Sequence, residues 1–391
     1  NTSYTESMAE SIKIQNTKKA GSFSQPLLYA VCFLTGIGLL AIYTSSSMKG
    51  AQQFGDPFLF LRKQAFVAAA GLVAMFLCLK VPFSWIERSV LPLTILSISI
   101  LLLIFVPGFY VKGGGAARWI NVAGFSFQPA ELSKLALVLF LAKNLARPGS
   151  DIDRFWTGIF PNFALLGIFG FLLMMQPDFG STALLGAVTL LMLFVAGLNK
   201  RFIAIAGALS VTGVVAAVLA APYRMARLVS FLDPWAEIKT GGFQIIQSYL
   251  AFQNGGLFGV GLGESKQKLY FLPEAHTDFI LSVIGEELGL AGVLLVCLLF
   301  FYITWLGYRI TRIQTVNFRR FLAFGLTSLI GVQASINMGV TMGLLPTKGI
   351  PLPFVSSGAS SLLVFLCVAA ILARLAKDVE LTRENGKQRT A

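Results

Sequence analysis

Runs of apolar residues close to twenty long recur along this chain, and nothing else limits its fold so tightly. A helix needs roughly 20 such residues to cross the ~30 Å hydrocarbon core of a bilayer. In that medium every backbone N–H and C=O must find its partner inside the protein, which leaves helices or closed barrels. Barrel strands would alternate in segments of about ten residues, whereas these runs are long and unbroken. Ten segments qualify: 26–44, 64–80, 89–107, 128–146, 159–176, 181–198, 202–221, 279–307, 318–342 and 358–376. The expected fold is an all-α polytopic membrane protein with about ten transmembrane helices. Composition agrees, with 13% charged residues and a mean hydropathy of +0.75, against about 25% charged in a soluble domain.

A net charge of +13 raises the question of nucleic acid. The basic residues sit instead in short loops between apolar runs, so no nucleic-acid partner is expected. An even number of spans puts both tails on one side. That side collects Lys80, Arg88, Lys143, Arg147, Lys200, Arg201, Arg309, Arg312, Arg319, Arg320, Arg374 and Lys377. The positive-inside pattern makes both termini cytoplasmic. The chain then divides into a polar tail (1–25), a membrane domain (26–376) and a second cytoplasmic tail (377–391). Cys32, Cys78, Cys297 and Cys367 lie within apolar runs and read as packing residues.

One connection is long. Residues 222–278 join spans seven and eight on the outward side, and Pro222 opens a short amphipathic piece that ends at Asp233-Pro234, since the residue before proline avoids helix. Phe243 to Phe252 suits a helix lying in the membrane interface or re-entering it. Gly255 to Gly263 either permits tight turns or cradles a phosphate. The connection closes on Leu272-Pro273-Glu274-Ala275-His276-Thr277-Asp278, which contains the only histidine. Asp278 is the last polar residue before span eight. It either performs chemistry at the aqueous membrane surface or caps and solvates a helix mouth.

Ionisable residues within or beside spans are costly and therefore informative. Glu131 and Lys134 open span four on a shared face, where they can pair; alternatively Lys134 reaches a phosphate that Glu131 orients. Glu286 and Glu287 lie about 12 Å along the helix from Asp278 and read as buried structural partners. Asp178 suits a helix cap. Arg118 beside Trp119, on a glycine-rich outer loop, either anchors a span or offers its fork to a phosphate. Lys348 shares that side. Ser356 and Ser357 can donate to a sugar or phosphate, or cap span ten. His276 can orient Asp278 or shuttle its proton, or be a surface histidine.

Five stretches occur in order along the spans: Arg118-Trp119-Ile120, Phe127-Gln128-Pro129-Ala130-Glu131-Leu132-Ser133-Lys134, Gln176-Pro177-Asp178-Phe179-Gly180-Ser181-Thr182, Leu272 through Ile280, and Pro351-Leu352-Pro353-Phe354-Val355-Ser356-Ser357-Gly358. Together they resemble the SEDS family of bacterial cell-wall polymerases (shape, elongation, division and sporulation). The resemblance covers about residues 25–378, and the long loop is most similar to the division branch, with the sporulation branch close. It implies a peptidoglycan glycosyltransferase that uses lipid II, with the catalytic carboxylate at Asp278 and substrate contacts at Arg118, Trp119, Glu131, Lys134, His276, Lys348, Ser356 and Ser357. It further implies a class B penicillin-binding protein (an FtsI-like transpeptidase) and other divisome membrane proteins as partners, and a place in the inner membrane at the septum. Inversion at the donor sugar asks for one base, and partial desolvation of Asp278 would strengthen it. The leaving pyrophosphate needs positive charge from Arg118, Lys134, Lys348 or a divalent cation, Mg²⁺ or Mn²⁺, shared with the substrate. No organic cofactor is expected. The rival reading is a flippase that moves lipid II across the membrane.

Overall fold

The structure, a computed structural model, describes residues 23–113, 116–122, 125–147, 152, 154–219, 221–236, 242–267 and 275–390. The tail 1–22 and Glu274 lie outside them. Helices dominate: α1 (Ser24–Phe54), α2 (Leu59–Cys78), α3 (Phe83–Leu103), α4 (Pro129–Leu145), α5 (Phe160–Met175, entered through a π-turn Phe155–Ile159), α6 (Phe179–Val195), α7 (Lys200–Leu219), α8 (Pro222–Leu232), α9 (Gly242–Gly255), α10 (Ile280–Ile313), α11 (Asn317–Thr341) and α12 (Ala359–Thr390). By length and composition, seven apolar helices among the described residues can cross a membrane; α6, at 17 residues, is a shorter apolar helix. The protein is an all-helical polytopic membrane protein.

Local chemistry explains where the helices differ from the apolar runs. α1 continues ten residues past the run that ends at 44. Its hydroxyls bond back into the preceding turn, Ser45 to the Ile42 carbonyl at 3.2 Å and Thr44 to that of Ala41 at 3.2 Å, so a polar stretch stays helical. Gly55, at φ +70°, then ends it in the left-handed conformation that glycine adopts cheaply. α3 begins at Phe83, directly after Pro82, and so takes in Glu87 and Arg88. Asp178 caps α6, accepting from the Ser181 N–H at 3.1 Å and its Oγ at 2.7 Å.

The expected glycine-rich loop before span four is instead a small antiparallel sheet, β1 (Tyr110–Gly113), β2 (Ala116–Val122) and β3 (Phe125–Phe127), in the order β1-β2-β3. Tyr110 pairs with Ile120 and Ile120 with Phe127, so apolar residues align across three strands; the pairing skips Arg118, since Val111 faces Trp119 and Lys112 faces Ala117, and this bulge interrupts the alternation so that Arg118 and Trp119 line the same cavity.

α4 is buried along nearly its whole length, and with α10, α11 and α12 it forms the centre of the bundle around Leu137, Leu141, Leu281, Leu326 and Phe365. α7 is the opposite case, exposed on most of its residues and standing at the edge beside α6 and α8. The long connection holds α8 and α9. α9 packs into the bundle against α10, with Ser248 Oγ 2.6 Å from Ser282 Oγ and donating to the Thr341 carbonyl.

Candidate active site

A chain of buried hydrogen bonds positions Asp278. On α11, Gln333 and Asn337 are one turn apart and share a face. Lys134 is 1% exposed and donates to Glu131 Oε1 at 2.7 Å and to Gln333 Oε1 at 2.8 Å. Gln333 Nε2 donates onward to the Pro351 carbonyl at 2.9 Å. Asn337 Nδ2 donates to the carbonyls of Ile350, at 2.8 Å, and of Asp278 itself, at 2.9 Å. Ser356 Oγ takes the Leu352 N–H at 2.8 Å and gives its proton to the Thr277 carbonyl at 2.6 Å, while the Ser357 N–H donates to the His276 carbonyl at 2.9 Å. Two irregular segments, 275–279 and 343–358, are thereby stitched to each other and to α4 and α11. Gly349 faces the Asp278 carboxylate: a methyl group there would sit 3.2 Å from Asp278 Oδ2.

The carboxylate lies on the wall of a polar cavity of about 430 Å³, with Arg118, Trp119, Gln244, Thr277, Lys348, Ser357 and Ser361 around it. A second cavity of about 350 Å³ adjoins it and is mostly apolar, lined by Val214, Val215, Val218 and Leu219 of α7 and by Met225 and Leu228 of α8. Arg118, Arg227, Lys348 and Gly349 line both. Arg118 is aimed by its own bonds, Nε to the Gln176 carbonyl at 3.0 Å and an Nη to that of Pro177. Lys348 Nζ sits 3.4 Å from the centre of the Phe179 ring. Burial and the nearby Arg227 and Arg224 lower its pKa to about 8, with Asp178 opposing them.

The residues singled out in the sequence therefore separate. Asp278, Arg118, Trp119, Lys348 and Ser357 converge on the cavity. Glu131 and Lys134 do not reach it; their pair is buried behind the wall and holds the wall through Gln333. Ser356, at 3% exposed, is a backbone staple. The His276 ring packs on Phe60 of α2, with ring centres 5.5 Å apart, and does not line the cavity. Glu286 ties down the preceding loop, accepting from the Lys266 N–H at 3.1 Å and the Gln267 N–H at 3.3 Å. Sequence reasoning missed Gln333, Asn337, Arg227, Gln244 and Ser361. Gln333 and Asn337 carried a signal, an amide pair four apart inside an otherwise apolar run. Among the described residues no three His, Cys, Asp or Glu side chains gather to hold a metal.

Comparison with known proteins places the chain. A family described as cell cycle proteins, FtsW/RodA/SpoVE, matches residues 25–381. The chain belongs to this family. It is 42% identical over 355 residues to a probable peptidoglycan glycosyltransferase FtsW of Geobacter sp. (strain M18), covering 91% of this chain and 97% of that one. It is 38% identical over 362 residues to stage V sporulation protein E of Bacillus subtilis (strain 168), covering 92% and 99%. Among solved structures, a chain from work titled "Structural coordination of polymerization and crosslinking by a peptidoglycan synthase complex" superposes with a TM-score of 0.74 at 28% identity, covering 91% of this chain and 98% of that one. A variant of the rod shape determining protein RodA of Thermus thermophilus gives a TM-score of 0.66 at 25% identity, covering 90% and 97%. The FtsW/RodA/SpoVE match spans α1 to α12, so it takes in both cavities and every residue that positions Asp278.

Proposed function

We propose that this chain is a peptidoglycan glycosyltransferase of the FtsW type, polymerising lipid II into β-1,4 glycan strands, with Asp278 as general base. The observation that carries the reading is the pairing of a polar cavity holding one carboxylate with an apolar cavity that shares its cationic rim. A lipid-linked sugar has that same division. In the reaction the acceptor 4-hydroxyl attacks the donor's anomeric carbon, and the bond from that carbon to the diphosphate oxygen breaks. The diphosphate leaves with the bonding electrons and the proton passes to Asp278. Arg118 and Lys348 stand where the leaving charge develops, in a partly desolvated setting that strengthens them. Trp119 supplies a flat face and Ser357 a hydroxyl for the sugars. Glu131, Lys134 and Ser356 act by holding the cavity wall. A divalent cation carried on the diphosphate agrees with this donor set, and no step above depends on it.

The reading extends to topology and partners. Ten helices correspond to the ten apolar runs, and the basic residues gather at the end opposite the cavities. Both termini are then cytoplasmic, the cavities open outward, and the connection between spans seven and eight lies outside. The partner is a class B penicillin-binding protein at the division septum. In support, a surface groove of about 450 Å³ runs between α10 and α11 past Gly331, Ser335 and Thr304, with the buried Ser328 Oγ lacking a hydrogen-bond partner. Small residues and an unsatisfied hydroxyl suit close approach of one further membrane helix. The flippase alternative is not favoured: of the buried charges it would use as a polar path, Glu131, Lys134, Glu286 and Glu287, the first three are already bonded into the scaffold.

Purified Asp278→Asn protein, folded and partner-bound, is expected to make no glycan from lipid II on gels that resolve chain length. Substantial polymer from that variant would sink the general-base role.

A further inference from the structure

α10 is longer than a bilayer core is thick. It has 34 residues, about 51 Å at 1.5 Å each, against ~30 Å of hydrocarbon. Its sequence marks where that hydrocarbon lies. From Leu288 to Tyr308 no residue is charged, while Glu286 and Glu287 precede the run and Arg309 and Arg312 follow it. Tyr302, Trp305 and Tyr308 are part-exposed at the basic end, where amphipathic rings favour the headgroup boundary. Roughly 20 residues back from Tyr308, or about 30 Å, is Leu288. The next residue, Gly289, is the break in α10, at φ +66°, and the glycine-rich loop after α9 docks there. That loop therefore stands at the second boundary of the hydrocarbon, at the same end of α10 as Asp278.

The polarity of the loop suits that place. Leu257, Phe258 and Leu262 are 64%, 85% and 63% exposed. Backbone bonds from Leu290 to Gly256 and from Ala291 to Leu257 set this tip beside Leu290, the first of three exposed leucines one turn apart, with Leu294 and Leu298. On the limb that leaves the tip, the exposed side chains are those of Glu264 and Lys266, and the Lys266 N–H bonds to Glu286. Charge thus stays on the Glu286 side and apolar surface on the Leu290 side. The backbone is closed on itself: the N–H groups of Gly256, Gly259, Val260 and Gly261 donate to the carbonyls of Phe252, Gly255, Glu286 and Glu287. Irregular chain beside hydrocarbon requires such closure, and a loop bathed in water does not. In water, the cluster of exposed apolar side chains would also be costly.

We propose that the loop 256–263 is a membrane-insertion tip: Leu257, Phe258 and Leu262 enter the boundary between headgroups and acyl chains on the cavity side and anchor α9 to the bilayer. The proposal rests on the membrane fold and not on the function proposed above. The groove between α10 and α11 is a different surface, since none of Leu257, Phe258, Leu262, Leu290, Leu294 or Leu298 lines it. α9 carries Gln244 to the polar cavity and bonds through Ser248 to the Thr341 carbonyl, so the anchor sets the height of that wall above the lipid.

The test is photo-crosslinking of the full-length chain in nanodiscs of phosphatidylglycerol and phosphatidylethanolamine. p-Benzoylphenylalanine is placed in turn at Phe258, Leu262, Leu298 and Lys266, and adducts are read by intact mass and peptide mapping. Phe258 and Leu262 are expected to give phospholipid adducts within about twofold of Leu298, the lipid-facing reference, and about fivefold or more above Lys266. Two tip positions keep the test decisive if one variant does not fold. Yields at both no higher than at Lys266 would overturn the proposal. So would a protein adduct in place of the lipid adduct when a cognate class B penicillin-binding protein is added, which would make the tip a protein contact. The Phe258→Asp/Leu262→Asp variant is expected to exchange the amide hydrogens of 259–261 about tenfold faster than the parent in the same nanodiscs, with exchange in α4 unchanged. Unchanged exchange at 259–261 would show that the bilayer does not hold the loop.

Discussion

At the scale of single residues, the cavity wall depends on side chains that do not line the cavity. Asn337 spends both amide protons on the carbonyls of Asp278 and Ile350, one in each of the two irregular segments. Without it two buried carbonyls lose their donor, and the distance between Asp278 and Lys348 is no longer set. Lys348 supplies a pH signature. Its pKa of about 8 means that the ammonium exists below that pH and is lost above it. The sign for folding is the reverse of a paired lysine. Between about pH 8 and the ordinary value of 10.5, the folded chain has shed a proton that the unfolded chain still holds, so stability rises across that window. Substrate binding moves the other way, because a neutral amine no longer attracts phosphate. The KM for lipid II is expected to climb several-fold from pH 7 to pH 9, and Lys348→Arg, always charged, should flatten the rise. A flat profile in the parent chain would show that Lys348 does not meet the substrate's charge.

At the scale of elements, α9, the loop after it and the first turns of α10 behave as one unit. α10 breaks at Gly289, where φ is +66° and ψ −163°. The loop pairs with the backbone exposed by the break: Val260 N–H to the Glu286 carbonyl at 3.0 Å, Gly261 N–H to that of Glu287 at 3.1 Å, and Leu290 N–H to that of Gly256 at 2.9 Å. Glycine is required for this close backbone approach; a methyl on Gly259 would lie 2.1 Å from the Glu287 carbonyl oxygen. Glu286 completes the unit from the side-chain direction with Asn254, Ser265, Lys266 and Gln267. Glu286→Gln keeps one acceptor oxygen and leaves buried donors unmet, a loss of about 1–3 kcal/mol. It should lower the thermal midpoint and speed proteolysis within 256–267, with cleavage mapped by mass spectrometry. Unchanged cleavage would mean that the backbone pairing alone holds the loop.

At the scale of the whole molecule, the two ends of the bundle differ in kind. The cavity end is built from irregular chain held by amides and hydroxyls. The opposite end is closed by charge: Arg319 pairs with Asp378, and Glu380 accepts from the Phe23 N–H at 2.8 Å, so the last helix caps the first. Between them lies the groove on α10 and α11, which we propose as the surface offered to a membrane partner. Ser335→Trp, at an exposed position in that groove, is expected to reduce recovery of a cognate class B penicillin-binding protein in pull-downs at least fivefold, with the Asp278 cavity untouched. Normal recovery would move the docking face elsewhere.

The apolar runs alone determined the helical membrane fold, because a chain in hydrocarbon has no other way to satisfy its backbone. The motif around Asp278, the pairing of Glu131 with Lys134 and the cap at Asp178 were also legible, since each rests on residues a few positions apart. Tertiary structure decided what those residues serve. Lys134 points into the scaffold rather than the cavity because Gln333, 199 positions away, accepts its bond. Ser356 is taken up by the Thr277 carbonyl, 79 positions away. Arg227 reaches the cavity rim because α8 folds back toward the 343–358 segment. Spacing along the chain determines which face of an element a residue occupies; what that face meets depends on contacts between distant elements, which no local pattern encodes.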